Sequence, residues 1–198
     1  MYASDDTLDS DFLDGIDDAP TFVGFGPRLG AALLDFLVML PIVGASTYFT
    51  AMSPNMNAYF GVLLISILYK PVCEKMLGGT PGKLILKQKV VGKEGAALSW
   101  GQAGMRYLPW LIGVLVNGYI QYQIFGIPGL EDVDGFMEYS MLVQEYQMEN
   151  GGIMMSIVQS GVALLPLVSA FFIFGNKKKQ AAHDILAETY VVSTKPKY

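Results

Sequence analysis

Two charged side chains stand inside an apolar run where charge is costly, in Arg28-Leu-Gly-Ala-Ala-Leu-Leu-Asp35. Seven residues make two helical turns, so on a helix the pair shares one face at about 10 Å separation. Arg28, at the start of the run, can extend its long stem to an interface. Asp35 sits deeper on a short side chain, and a carboxylate at that depth in a bilayer must be paired, hydrated or protonated. Two chemistries fit it. One is a structural pair with a base on a neighbouring segment, for which Lys70, Lys83 and Arg106 are available; the other is direct handling of a proton or cation.

The remaining candidates are weaker. Gly78-Gly79-Thr80-Pro81-Gly82-Lys83 resembles a phosphate loop only superficially, because Leu84 follows the lysine where a metal-binding hydroxyl is needed. Gly79, Thr80, Pro81 and Gly82 read as a tight turn. His183-Asp184 has no nucleophile or metal set beside it, which leaves a structural hydrogen bond or salt bridge. Cys73 and His183 are the single cysteine and histidine, so no disulfide can form within the chain and a Cys/His zinc site is not expected. No cofactor, metal or enzymatic activity follows from these residues.

The elements that must position these groups are membrane elements. Hydrophobic residues make up 52% of the chain and charged ones 16%, and the charges fall in blocks between apolar stretches of spanning length. The expected fold is an all-α membrane protein, a four-transmembrane-helix bundle with spans about 27–48, 58–72, 102–125 and 152–174 within a domain of 25–194. Seven aspartates in the first 18 residues mark 1–24 as a flexible acidic tail. That acidity is the opposite of a secretory signal, so the first apolar segment is expected to remain as an anchor. Lys87 and Lys89 alternate with apolar residues, which predicts a strand over Leu84–Val91. The tail from Ala181 to Val192 predicts a short helix and then a strand.

The acidic insertion at 126–150 contains an amphipathic helix over about 134–149, with Phe136, Tyr139, Val143 and Tyr146 at helical spacing and the acids on another face. That aromatic side is a candidate docking face for a membrane partner or a second copy. Lysines gather in the loop between the second and third spans and after the fourth, while the other connections carry none. Both termini are therefore expected in the cytoplasm. Basic residues are not interleaved with aromatics on one face, so nucleic acid is not an expected partner.

Three blocks in order resemble the RDD family of bacterial membrane proteins. They are Arg28 with Ala31 and Asp35; Glu74 with Gly79-Thr80-Pro81-Gly82-Lys83; and His183-Asp184-Ile-Leu-Ala-Glu-Thr-Tyr-Val-Val192. The chain departs from the family pattern at Glu188, where glycine is frequent, and in the length of the 126–150 insertion. The resemblance implies that Arg28, Asp35 and Asp184 are the name-giving residues and that the protein lies in a bacterial inner membrane. An Arg28–Asp184 bridge would then clamp the first helix to the C-terminal segment, and strand 84–91 would pair with 189–193. The functions in view are a small ion or solute transporter, exchanging cation for proton at the intramembrane carboxylate, and a non-catalytic accessory subunit that anchors or assembles a larger membrane complex.

Overall fold

A computed structural model describes residues 21–150 and 152–195; the acidic tail expected over 1–24 lies almost wholly outside them. The first long helix, α1 (Phe25–Thr47), runs into a π-helical turn over Tyr48–Met52. After Asn55, whose side chain caps the next helix by accepting from the Ala58 N–H at 3.0 Å, comes α2 (Met56–Leu77). Gly78 ends α2 at φ +78°, the left-handed conformation glycine adopts without penalty. Then follow α3 (Pro81–Ile85), β1 (Gln88–Val91) and α4 (Trp100–Phe125), the last opened by a reciprocal capping box between Ser99 and Gln102. The remainder is α5 (Phe136–Glu149), α6 (Gly152–Ala163), α7 (Leu165–Gly175), α8 (Ala182–Leu186) and β2 (Tyr190–Ser193).

Three helical stretches among the described residues are long and apolar enough to cross a membrane: Phe25–Met52, Met56–Ile85 and Gly152–Gly175. The expected third span is helical over 26 residues, Trp100–Phe125, yet it is not among those three. Arg106, Asn117, Gln121 and Gln123 lower its apolarity. The expected last span is broken at Leu164, just before Pro166, which cannot donate a backbone hydrogen bond.

The burial pattern is inverted relative to a water-soluble protein. Leu33, Phe36, Leu37 and Leu40 on α1 and Leu64, Ile65 and Leu68 on α2 are exposed, whereas Arg106, Glu74 and Asp184 are among the largest fully buried side chains. In water that arrangement would leave a large sticky surface; against lipid tails it is the stable one.

Strand formation begins later than the alternation predicts. Thr80-Pro81 starts α3 instead, because proline's fixed φ suits a first helical position and costs no donor there. The strand is confined to Gln88–Val91, antiparallel to β2 with Val90 opposite Val191 and Lys89 opposite Val192. Phe22 bridges to Val192 on the far side of β2. Val23, Val90, Val191, Leu98 and Ala103 form a small apolar core beneath this sheet, next to the start of α4.

Candidate functional site: a buried charge cluster and an uncharged cavity

Arg106 projects from α4 into the centre of the sheet end. Its Nε donates to Glu74 Oε2 at 2.8 Å, and its Nη1 pairs with Asp184 Oδ1 and donates to Thr189 Oγ1 at 2.5 Å. The second oxygen of Glu74 accepts from Lys83 Nζ at 2.5 Å. The second oxygen of Asp184 pairs with Arg28 Nη1 and accepts the Ala181 N–H at 3.0 Å. Arg28 spends its other donors on the carbonyls of Val23 and Lys179. Five charged residues from α1, α2, α3, α4 and α8 are thereby joined in one network, in which Glu74, Arg106 and Asp184 are fully buried. Burial alone would raise the Asp184 carboxyl, but the Arg106 guanidinium, with that of Arg28, holds it well below the usual carboxylate range.

His183 completes the cluster as a neutral member. Ser169 Oγ accepts the His183 backbone N–H at 3.1 Å and lies 2.8 Å from Nδ1, while Nε2 faces Asp184 at 3.3 Å. With the Ser169 hydroxyl donating to Nδ1, the ring proton sits on Nε2, toward the carboxylate. Burial pushes the imidazole well below its ordinary pKa, the pull of Asp184 opposes that, and Lys70, Arg106 and Lys83 add to the lowering. The ring stands edge-on to Trp110 at 4.9 Å, and Lys70 Nζ lies 2.9 Å from the Trp110 ring centroid.

Asp35 is outside this network, and a base is not what it meets. Oδ1 accepts the Gly82 N–H at 2.8 Å and the Tyr69 hydroxyl at 3.2 Å; Oδ2 accepts the Thr80 hydroxyl at 2.5 Å. The expected partners Lys70, Lys83 and Arg106 bind elsewhere. Asp35 is thus held by the N-terminus of α3, and the tight turn expected over Gly79, Thr80, Pro81 and Gly82 is instead a bend at Gly79 followed by the cap and first residues of a helix. Gly82 has a steric reason to be glycine, since a Cβ there would fall on the Ala31 carbonyl and close on the Asp35 backbone. Ala31, buried completely, is the small residue that lets α1 and α3 approach.

The expected docking face also has a different role. Tyr139, Val143 and Tyr146 turn inward and pack with Leu142 on Ile120, Ile124, Ile127 and Leu130 at the far end of α4. Burying that aromatic side is what holds α5 across the end of the bundle, and burial raises the Tyr139 phenol. Phe136 alone of the four is exposed, beside Met137, Met141 and Met148 on the outer side.

Sequence reasoning missed a cavity of about 650 Å³ among α1, α2, α4 and α6. Its wall carries Ser46, Thr50, Tyr59, Ser66, Asn117, Gln121 and Gln159 and no charged residue. Trp110 lines one end, so its ring separates the cavity from Lys70 and His183. Thr50, in the π-helical turn, lines it near Tyr139 of α5. Tyr59 donates to Asn117 Oδ1 at 3.1 Å, and Gln121 Oε1 is buried with no partner among the described residues. Two irregular stretches of backbone meet here, the π turn and the α6–α7 break, where Pro166 leaves the Val162 carbonyl without its helical donor. Asn117 and Gln121, one turn apart within an apolar helix, were the available signal.

A family model described as the RDD family matches residues 22–188. No curated protein and no solved structure gives a significant match.

Proposed function

Because the chain belongs to the RDD family, we propose that this membrane protein is a small transporter in the broad sense, with the solute path through the cavity rather than through Asp35. The carrying observation is the uncharged, hydroxyl- and amide-lined cavity at two helix irregularities. Irregular backbone at membrane depth persists where it is buried in protein or lines an aqueous space, and transporters build binding sites from such broken helices. Exchange of cation for proton at Asp35 is the narrower form. Its depth in α1 favours that form; the three donors that occupy both carboxylate oxygens weigh against it.

The reading includes four spans with both ends in the cytoplasm of a bacterial inner membrane. The described lysines and arginines, and the network they build, collect at the sheet end of the bundle, which supports a cytoplasmic sheet. Of the polar residues that lower the apolarity of α4, Arg106 points into the network and Asn117 and Gln121 line the cavity, which supports a shielded span, while Gln123 is exposed.

One observation favours an accessory subunit instead. The outer side of α5 exposes Phe136, Met137, Met141 and Met148, an adaptable surface of the kind used for partner contact. Gentle extraction from the native membrane, with a C-terminal tag and mass measurement, separates the two. A chain that runs alone or as a homo-oligomer supports the transporter; stoichiometric copurification with other proteins, lost on Met137→Glu, overturns it.

A further inference from the structure

The cavity's chemistry is more specific than its existence. Thr47 and Thr50 donate their hydroxyl protons to backbone carbonyls of their own helix; Thr50 is also engaged by Tyr139, so Thr47 is the one that acts as an acceptor toward the cavity. Asn117 has its carbonyl oxygen occupied by Tyr59, which leaves the two N–H groups of its amide as donors. Gln121 carries a buried oxygen with no partner among the described residues. Gln159, exposed on α6, faces the same space. Its position is unfavourable against hydrocarbon and suits a cavity that water or solute enters from that side.

Together these groups supply donors and acceptors in pairs, with no ionised side chain to compensate a charged ligand. A cation there would meet only neutral oxygens and an anion only N–H groups, with no ionised side chain to balance the charge, whereas an uncharged solute uses both kinds of group. The carboxamides of Gln121 and Gln159 each offer a donor edge beside an acceptor edge, which matches two neighbouring hydroxyls, and Asn117 adds donors only. The volume is within the range of small-molecule sites, and the apolar wall from Ile42, Val43, Leu63 and Val162 suits a carbon chain.

We propose that the cavity is a binding site for an uncharged polyol, read by Asn117, Gln121 and Gln159. The inference rests on the transporter reading and adds the solute class to it.

The test is stopped-flow light scattering on proteoliposomes holding the full chain, exposed in turn to gradients of xylitol and of potassium chloride. Vesicles with protein should re-swell in xylitol faster than protein-free ones and show no gain with the salt. Asn117→Leu with Gln121→Leu should reduce the protein-dependent xylitol rate about tenfold, the loss expected for two hydrogen bonds. A second arm leaves the interior intact: in a Cys73→Ser background, Gln159→Cys reacted with N-ethylmaleimide should block xylitol, while the same reaction at Ile157→Cys should not. Salt flux without xylitol flux overturns the polyol inference and leaves transport standing. No flux of either solute overturns both. Xylitol flux indifferent to the paired leucines and to the label at Gln159→Cys removes the assignment to this cavity.

Discussion

At the sheet end every carboxylate oxygen of Glu74 and Asp184 has a donor, and five segments meet through them. In the cavity, by contrast, the polar groups are neutral, and Gln121 leaves an acceptor with no partner among the described residues. Both regions are polar places inside an apolar bundle, so burial alone does not distinguish them. Saturation does. A group whose partners are all supplied by the chain fixes geometry and has no capacity left for a ligand. An open lone pair or N–H retains that capacity where a cavity reaches it, as at Gln121, which lines the cavity, and not at Arg106, which does not. Arg28 and Asp184, in ion pairs, and Asp35, under three donors, fall on the partnered side, or frame, which is what the proposed path through the cavity requires of them.

The largest expected effect follows from breaking the frame at its hub. Arg106→Met removes the cation that Glu74 and Asp184 share, both fully buried. Glu74 keeps Lys83 and Asp184 keeps Arg28, yet breaking a buried ion pair by removing one partner costs about 3–5 kcal/mol. The variant should show a much lower melting temperature in nanodiscs or fail to accumulate. A melting temperature near that of the parent chain would mean that the network is not what joins the helices.

Gly82→Ala probes the other part of the frame. The added methyl meets the Ala31 carbonyl and the Asp35 backbone, and overpacking of this kind costs about 1–3 kcal/mol. α1 and α3 should separate and the Gly82 N–H to Asp35 bond should lengthen. Melting of the purified variant measures the cost, and hydrogen exchange from Gly79 to Gly82 should rise locally. Unchanged exchange there would show that the Asp35 contact tolerates the displacement.

The frame and the cavity were not equally legible in the sequence. Arg28 and Asp35 stand out because charge is rare in an apolar run, and the order of motifs pointed to Asp184. Asp35's partners did not, since Thr80 and Gly82 are neutral and reach it only after α3 folds back on α1. Strand alternation over Leu84–Val91 was outcompeted at its start by Thr80-Pro81, whose local preference for a helix start is strong. The aromatic spacing at Tyr139, Val143 and Tyr146 identified a real apolar face, but spacing cannot say whether a face packs inward or waits for a partner. The cavity depended on four segments distant in sequence, and only Asn117 and Gln121 left a local trace.

Acid sharpens the contrast through His183. Its folded-state pKa is pushed well below 6.5, so below about pH 6.5 the unfolded chain binds a proton that the folded chain refuses. Stability therefore falls with acidification, by at most about 1.4 kcal/mol per pH unit, until the folded histidine itself titrates. Asp184, depressed by its guanidinium partners, adds a second loss only below about pH 4, where the unfolded carboxylate protonates. Melting temperatures between pH 7.5 and 5 should decline in the parent chain and flatten in His183→Gln. Equal slopes in the two proteins would remove His183 as the group responsible.

The smallest effect on stability is expected in the cavity, where the comparison is most exposed to failure. Gln121→Leu deletes a buried acceptor that has no partner among the described residues, so no hydrogen bond to that oxygen is sacrificed. Replacing such a group by an apolar one of similar size is nearly neutral or stabilising, a gain of about 0–1 kcal/mol. Melting should stay level or rise slightly while polyol flux falls, the reverse of Arg106→Met, in which stability goes first. That separation is the signature of a group kept for a ligand rather than for the fold. A destabilised Gln121→Leu would place the glutamine in the frame, and the division between an ion-paired end and an uncharged cavity would have to be redrawn at α4.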